Sequence, residues 1–206
     1  MLPPVPSLPP RSLWGCFTYC LKRENYARFS GRSTRREYWS FFLFFILIGL
    51  LLGFLTTFGA AICMVIAGAV AHVIWFIGGL LLLLGFMLYT ALPGLAVYVR
   101  RLHDVGWSGW WIGLHYGVGA VIFAIVWFQL MMGVQEWMWT NESVTWDAES
   151  LQSLGAYLET VPGFPLLDEI SDVLTLVSHA LGLFLFVLTL WPSQQKENRY
   201  GQKPLA

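Results

Sequence analysis

The sequence predicts an all-α integral membrane protein with four transmembrane helices, both termini cytoplasmic and short amphipathic helices at the interfaces. Three observations lead there. Of 206 residues, 57% are hydrophobic and only 12% charged, and mean hydropathy is positive, far from the composition of a soluble domain. Apolar runs recur at the ~20 residues a helix needs to cross a ~30 Å hydrocarbon core. The formal net charge of zero conceals a segregation: Lys and Arg occur only from Arg11 to Arg36, at Arg100 and Arg101, and at Lys196, Arg199 and Lys203. Between Arg101 and Lys196 the charged residues are all acids: Asp104 beside the arginines, then Glu136, Glu142, Asp147, Glu149, Glu159, Asp168, Glu169 and Asp172. The positive-inside rule therefore puts the basic blocks in the cytoplasm and the acidic interval outside. The organisation expected is a disordered Pro-rich tail over 1–12 and one four-helix membrane domain over 13–206.

The first ten residues hold five prolines and no apolar run suited to a signal peptide, so a retained tail is expected. From Leu13 to Arg28, Trp14, Phe17 and Leu21 share one helical face, which suits an interfacial helix on the inner leaflet. Thr34 and Glu37 have the spacing of a capping box, and Tyr38 and Trp39 suit an interfacial belt. The first span is expected over 40–58, with Gly49 and Gly53 offering a small face for close helix contact. A turn is placed near Gly68 to His72 and a second span over 74–99, kinked by Pro93.

The next stretch, Val99 to Trp111, closes one apolar segment and opens another. Arg100 and Arg101 stand four and three residues before Asp104, within pairing reach on a helix. Gly106 can end that helix left-handed and Ser108 can cap the next. The third span is expected over 110–132, with Gly109, Gly113 and Gly117 on one stripe, and the fourth over 173–191. The outer loop, 133–172, carries Trp137, Trp139 and Trp146, a sequon at Asn141-Glu142-Ser143, and Leu151, Leu154, Leu158 and Val161 at helical spacing until Pro162 and Gly163. Cys16, Cys20 and Cys63 have neither zinc nor disulfide spacing and read as reduced thiols.

Three segments carry a family likeness. G-R-S-T-R-R-E-Y-W at Gly31 to Trp39, R-R-L-H-D-V-G-W-S-G-W-W at Arg100 to Trp111, and E-N-R-Y-G-Q-K-P at Glu197 to Pro204 resemble, in order, the signatures of the YhaH-like family of small bacterial inner-membrane proteins, a domain of unknown function. The resemblance runs from Trp14 to Pro204 and implies a compact four-helix protein of the bacterial inner membrane. It implies no activity, ligand or catalytic residue. The chain departs from the pattern in a longer, Trp-richer outer interval and in Lys196, where a glycine is common.

His103 beside Asp104 could be read as a general base or acid, because an imidazole titrates near neutrality. No nucleophile, metal cluster or glycine-rich phosphate loop accompanies it, so the plainer reading is that these charges pair, cap helices and anchor the cytoplasmic face. His115 and His179 fall inside predicted spans but lack an intramembrane charged partner. The expected protein is therefore non-enzymatic, with no cofactor, metal or nucleic-acid partner. Arg32, Arg35, Arg36, Arg100, Arg101, His103, Asp104 and Arg199 are the candidate surface for anionic lipid or a protein partner; Thr34, Glu37, Gly106 and Ser108 are the candidate caps. The alternatives are a small transporter or channel component and, behind it, a lipid-modifying enzyme. Membrane lipids are expected contacts, and the Gly-rich helix faces suit a homo-oligomer.

Overall fold

The computed structural model describes residues 12–140, 148–160 and 165–202. Residues 1–11 of the expected tail, the sequon at Asn141 to Ser143, Trp146, Val161, Pro162, Gly163, Lys203 and Pro204 lie outside them, while Ser12, counted with the tail, belongs to the cap of the first helix. The described residues form five helices: α1 Leu13–Leu21, α2 Arg35–Asp104, α3 Trp110–Thr140, α4 Ala148–Thr160 and α5 Pro165–Leu190. Of these, α2, α3 and α5 are long and apolar enough to cross a membrane. The chain divides into two compact units, one made of the residues up to Gly109 together with those from Leu188, the other of Trp110–Val187.

Helix α2 is 70 residues long, yet it is interrupted at Gly68, where φ is 83° and ψ is −177°. Only glycine enters that region without a steric penalty, and there the chain doubles back. Phe45 stacks on Phe86 at 5.7 Å, the Trp75 indole N–H donates to the Leu55 carbonyl, and His72 Nδ1 lies 2.9 Å from the Ala60 carbonyl. At the other end Tyr38 packs on Tyr98 at 5.4 Å. Partners converge in number toward residue 68, so 35–67 and 69–104 are the antiparallel arms of a hairpin. The open end has a buried core of Phe17, Cys20, Tyr38, Phe41 and Val97, with Leu21, Phe42, Phe44, Phe45, Ile48 and Tyr98 packed around it.

Helix α1 is capped by Ser12, whose hydroxyl accepts from the Gly15 N–H. It lies along the first arm rather than apart from it: Trp14 meets Phe44 at 5.0 Å, and Phe17 meets Phe41 and Phe44 at 5.5 and 5.6 Å. The segment after α1 returns to the second arm at Pro93. A proline there leaves the carbonyl four residues back, that of Tyr89, without its helical donor. The Tyr26 hydroxyl donates to that carbonyl, and the two tyrosine rings lie 5.3 Å apart. The phenol thus supplies the donor that the proline lacks.

The second arm ends as a Schellman turn. Gly106, at φ +87°, and Trp107 donate their N–H groups to the carbonyls of His103 and Leu102, at 3.1 and 2.9 Å.

In the second unit, helices outrun the apolar runs that announce them. α3 continues to Thr140 because no Pro or Gly interrupts 134–140, and α5 begins at Pro165, where a missing N–H costs nothing. The interval 133–172, expected as a loop around one short helix, is thus largely helical where it is described. Within this unit Trp111 packs edge-on against Phe184 at 5.7 Å, and Gln129 donates to Asp168 at 2.6 Å. The glycine faces are only partly closed by the chain itself: Gly53 and Gly117 have open space beside them and a side chain at Gly49 would reach only the Phe86 ring, whereas one at Gly109 would strike Val99 at 2.8 Å.

Tyr26→Phe should lower stability in detergent by about 0.5–1.5 kcal/mol, the net contribution of one hydrogen bond. Pro93→Ala returns a backbone donor, so the same substitution should cost much less in that background. Equal losses in thermal melts of both backgrounds would show that the phenol does not serve this carbonyl.

Candidate functional site

The residues singled out by sequence gather in the first unit, where the second arm of α2, the start of its first arm and the end of α5 meet. Asp104, the last residue of α2, sits between two guanidinium groups. Arg32 approaches Oδ1 with Nε and Nη2, both at 2.9 Å, and Arg101 approaches Oδ2 with Nη1 at 2.5 Å. All three side chains are essentially sealed from solvent, at 0–1% exposure. Arg101 therefore forms the expected helical pair with Asp104. Arg100 does not; it turns to Glu37, 2.8 Å away, as an ion pair without an aligned hydrogen bond.

The remaining guanidinium donors close helix ends. Arg101 donates Nε to the Thr189 carbonyl at 3.1 Å and Nη2 to that of Trp191, with Ser193 Oγ 3.4 Å from Nη1. Arg35 adds its Nε to the Trp191 carbonyl at 3.1 Å. Arg32 reaches the carbonyls of Gln194, Lys196, Asp104 and Gly201. In return Gln194 donates its backbone N–H to the Asp104 carbonyl and its amide to that of Val105, at 3.1 and 3.3 Å. Each C-terminus thus has its orphan carbonyls met from the other's chain, and arginines face the negative ends of both dipoles.

The terminal signature folds into a tight turn in which Asn198 and Gly201 exchange backbone hydrogen bonds. Asn198 donates to the His103 carbonyl at 3.0 Å. Tyr200 stacks flat on the His103 ring at 3.7 Å, and the Arg199 guanidinium lies 4.7 Å from the Tyr200 ring centre. His103 Nδ1 is 3.2 Å from the Gly31 carbonyl and so carries the proton there. A ring covered on one face, with Nδ1 engaged, holds the turn in place.

A second buried group stands beside this one. Thr34 caps α2 by accepting from the Glu37 N–H at 3.1 Å, as expected. The Glu37 carboxylate, however, does not complete a capping box: it faces Arg100 and accepts from the Cys20 thiol at 3.7 Å. Cys16 and Cys20 are free and buried. Burial, reinforced by the Glu37 carboxylate, pushes both thiols up from their ordinary range, which keeps them protonated and poorly nucleophilic. Cys20 thus has a structural role that the sequence reading did not assign.

Of the eight candidate docking residues, Arg32, Arg100, Arg101 and Asp104 are buried and His103 is half-buried; Arg35, Arg36 and Arg199 are exposed. Gly106 ends α2, and Ser108 lies half-buried in the link to α3. His115 is half-buried and His179 exposed, both in the second unit. Among the described residues no three His, Cys, Asp or Glu side chains gather as a metal would require. The reading missed Gln194, which carries no sequence signal; Asn198 lies inside the terminal signature but was not singled out.

Residues 26–202 match the family described as protein of unknown function (DUF805), and the chain belongs to that family. It is 40% identical over 91 residues to the inner membrane protein YhaI of Escherichia coli (strain K12), a match covering 43% of this chain and 61% of YhaI. It is 36% identical over 95 residues to the inner membrane protein YhaH of the same strain, covering 43% of this chain and 63% of YhaH. The chain spans about three fifths of the length of these curated relatives. No solved structure matches it. With its long apolar helices and these relatives, the protein is a multi-pass protein of the bacterial inner membrane.

Asp104→Asn removes the charge that two buried arginines share, and breaking a buried pair costs about 3–5 kcal/mol. It should sharply lower the melting temperature in detergent, whereas Arg36→Gln, at an exposed position, should change stability by about 0.5 kcal/mol or less. Equal melting of the Asp104 variant and the unaltered protein would remove the network from the list of stabilising features.

Proposed function

We propose that this DUF805 member crosses the inner membrane four times, with both ends cytoplasmic, and is a non-enzymatic component that docks an anionic group at its basic end. The observation that carries the reading is the division of the arginines. Arg32, Arg100 and Arg101 are consumed inside the protein, while Arg35, Arg36 and Arg199 remain exposed around them. A buried frame thereby presents outer cations: Arg36 and Arg199 can each meet phosphate or carboxylate with two parallel hydrogen bonds, and Arg35, its Nε on the Trp191 carbonyl, keeps its two terminal nitrogens.

The four crossings are supported by the hairpin. Each arm exceeds the roughly 20 residues that a span requires, and α3 and α5 supply the other two. The basic ends of the arms and the end of α5 meet in one network, as an even number of crossings demands, and the positive-inside rule assigns that side to the cytoplasm.

Topology is open to an impermeant thiol reagent on spheroplasts in a Cys63→Ser background, where the remaining native thiols are buried. Ser153→Cys should label and Gln202→Cys should not; the opposite pattern would invert the assignment. For docking, Arg35→Gln, Arg36→Gln and Arg199→Gln combined should leave the protein inserted and remove its co-purifying lipid or protein in native mass spectrometry. Retention of the same partners would reduce these arginines to topology signals.

A further inference from the structure

The hairpin is too long for the bilayer it crosses. At 1.5 Å per residue each arm extends roughly 50 Å, against a hydrocarbon core of ~30 Å. Burial shows where the surplus lies. At the open end Glu37, Tyr38, Ser40 and Phe41 are buried on one arm, and Pro93, Ala96, Val97 and Arg100 to Leu102 on the other. From about residue 45 to residue 89 the outward side chains are large, apolar and exposed, among them Ile46, Leu50, Phe54, Leu81 and Leu88. That stretch matches the thickness of the core, so the open end stands in the headgroup layer and beyond.

Helix α1 lies against this part. Its first turn is level with Phe44, roughly 13 Å along the arm from Arg35 at the same helical rise, and its last turn is level with Glu37. At the deeper end Leu13 and Trp14 are 46% and 53% exposed. At the shallower end Lys22 and Arg23 are exposed and, with Glu24, line an open hollow of about 530 Å³. The helix therefore stands across the headgroup layer, apolar end toward the acyl chains and cations toward the phosphates. Tyr26, bound at the Tyr89 carbonyl, fixes the segment that carries those cations.

We infer that α1 and the segment following it form a fixed collar on the hairpin that binds the phosphate of an anionic phospholipid through Lys22 and Arg23, with Leu13 and Trp14 against its acyl chains. This rests on the hairpin crossing the membrane but uses a different set of cations from the docking residues above, so the two readings fail separately. Lys and Arg near an anionic surface each contribute a factor of about five in affinity.

Native mass spectrometry of the full-length protein in detergent, titrated with phosphatidylglycerol or phosphatidylcholine, tests it. Lys22→Gln with Arg23→Gln should weaken phosphatidylglycerol binding at least tenfold, leaving phosphatidylcholine binding and the melting temperature unchanged. A benzoylphenylalanine photoprobe at position 14, in liposomes, should yield lipid adducts. Unchanged phosphatidylglycerol affinity, an equal loss for both lipids, or loss only in the Arg35, Arg36 and Arg199 variant would overturn the lipid site. Absence of lipid adducts at position 14 would overturn the depth assigned to α1.

Discussion

The first unit depends on one carboxylate. Among the described residues Asp104 is the only acid paired with Arg32 and Arg101, and all three are buried. With Arg100 and Glu37 included, the buried groups of this end number three arginines and two acids. The excess positive charge is tolerable because the surplus donors face backbone carbonyls at the ends of two helices, where partial negative charge accumulates. Isolated ion pairs seldom stabilise a protein once desolvation is counted. Here the guanidinium groups also satisfy carbonyls that would otherwise lack a donor, so the ion pairs and the helix ends are one problem with one solution.

Composition, charge blocks and apolar runs were enough to read the membrane class, the helical content and the pairing of Asp104 with an arginine, because each follows from residue chemistry and short-range spacing. The directions of neighbouring side chains were not legible in the same way. Residues three and four apart on a helix are both neighbours, so spacing alone does not decide whether Arg100 or Arg101 takes Asp104; that depends on what packs behind them. Arg100 is claimed by Glu37, which is in turn held by Cys20 from α1, seventeen positions earlier in the chain. Helix limits failed for a related reason: an apolar run marks where lipid is expected, while helical bonding continues until a breaker intervenes. Tyr26 and Pro93 look unremarkable apart, and only the fold brings the hydroxyl to the vacant carbonyl.

The same arginine-rich motifs therefore carry two physically different populations. Arg32 and Arg101 are internal cross-links whose donors are spent on fixed acceptors. Arg35 and Arg36 follow Arg32 closely in the chain and are exposed, Arg35 with only its Nε spent, on the Trp191 carbonyl. A motif such as R-S-T-R-R records both at once, and neither charge nor spacing separates them.

The partners of Arg101 and Arg32 at Thr189, Trp191, Gln194, Lys196 and Gly201 are all made after the hairpin. Gly106 adds a constraint, since a Cβ there would fall 2.3 Å from the Gln194 amide nitrogen. The hairpin end is therefore closed by partners 88 or more positions further along the chain, and its arginines and terminal carbonyls depend on that segment for their partners. The network is thus a long-range staple: without the carbonyls at 189–201, the donors that Arg101 and Arg32 spend there have no acceptor.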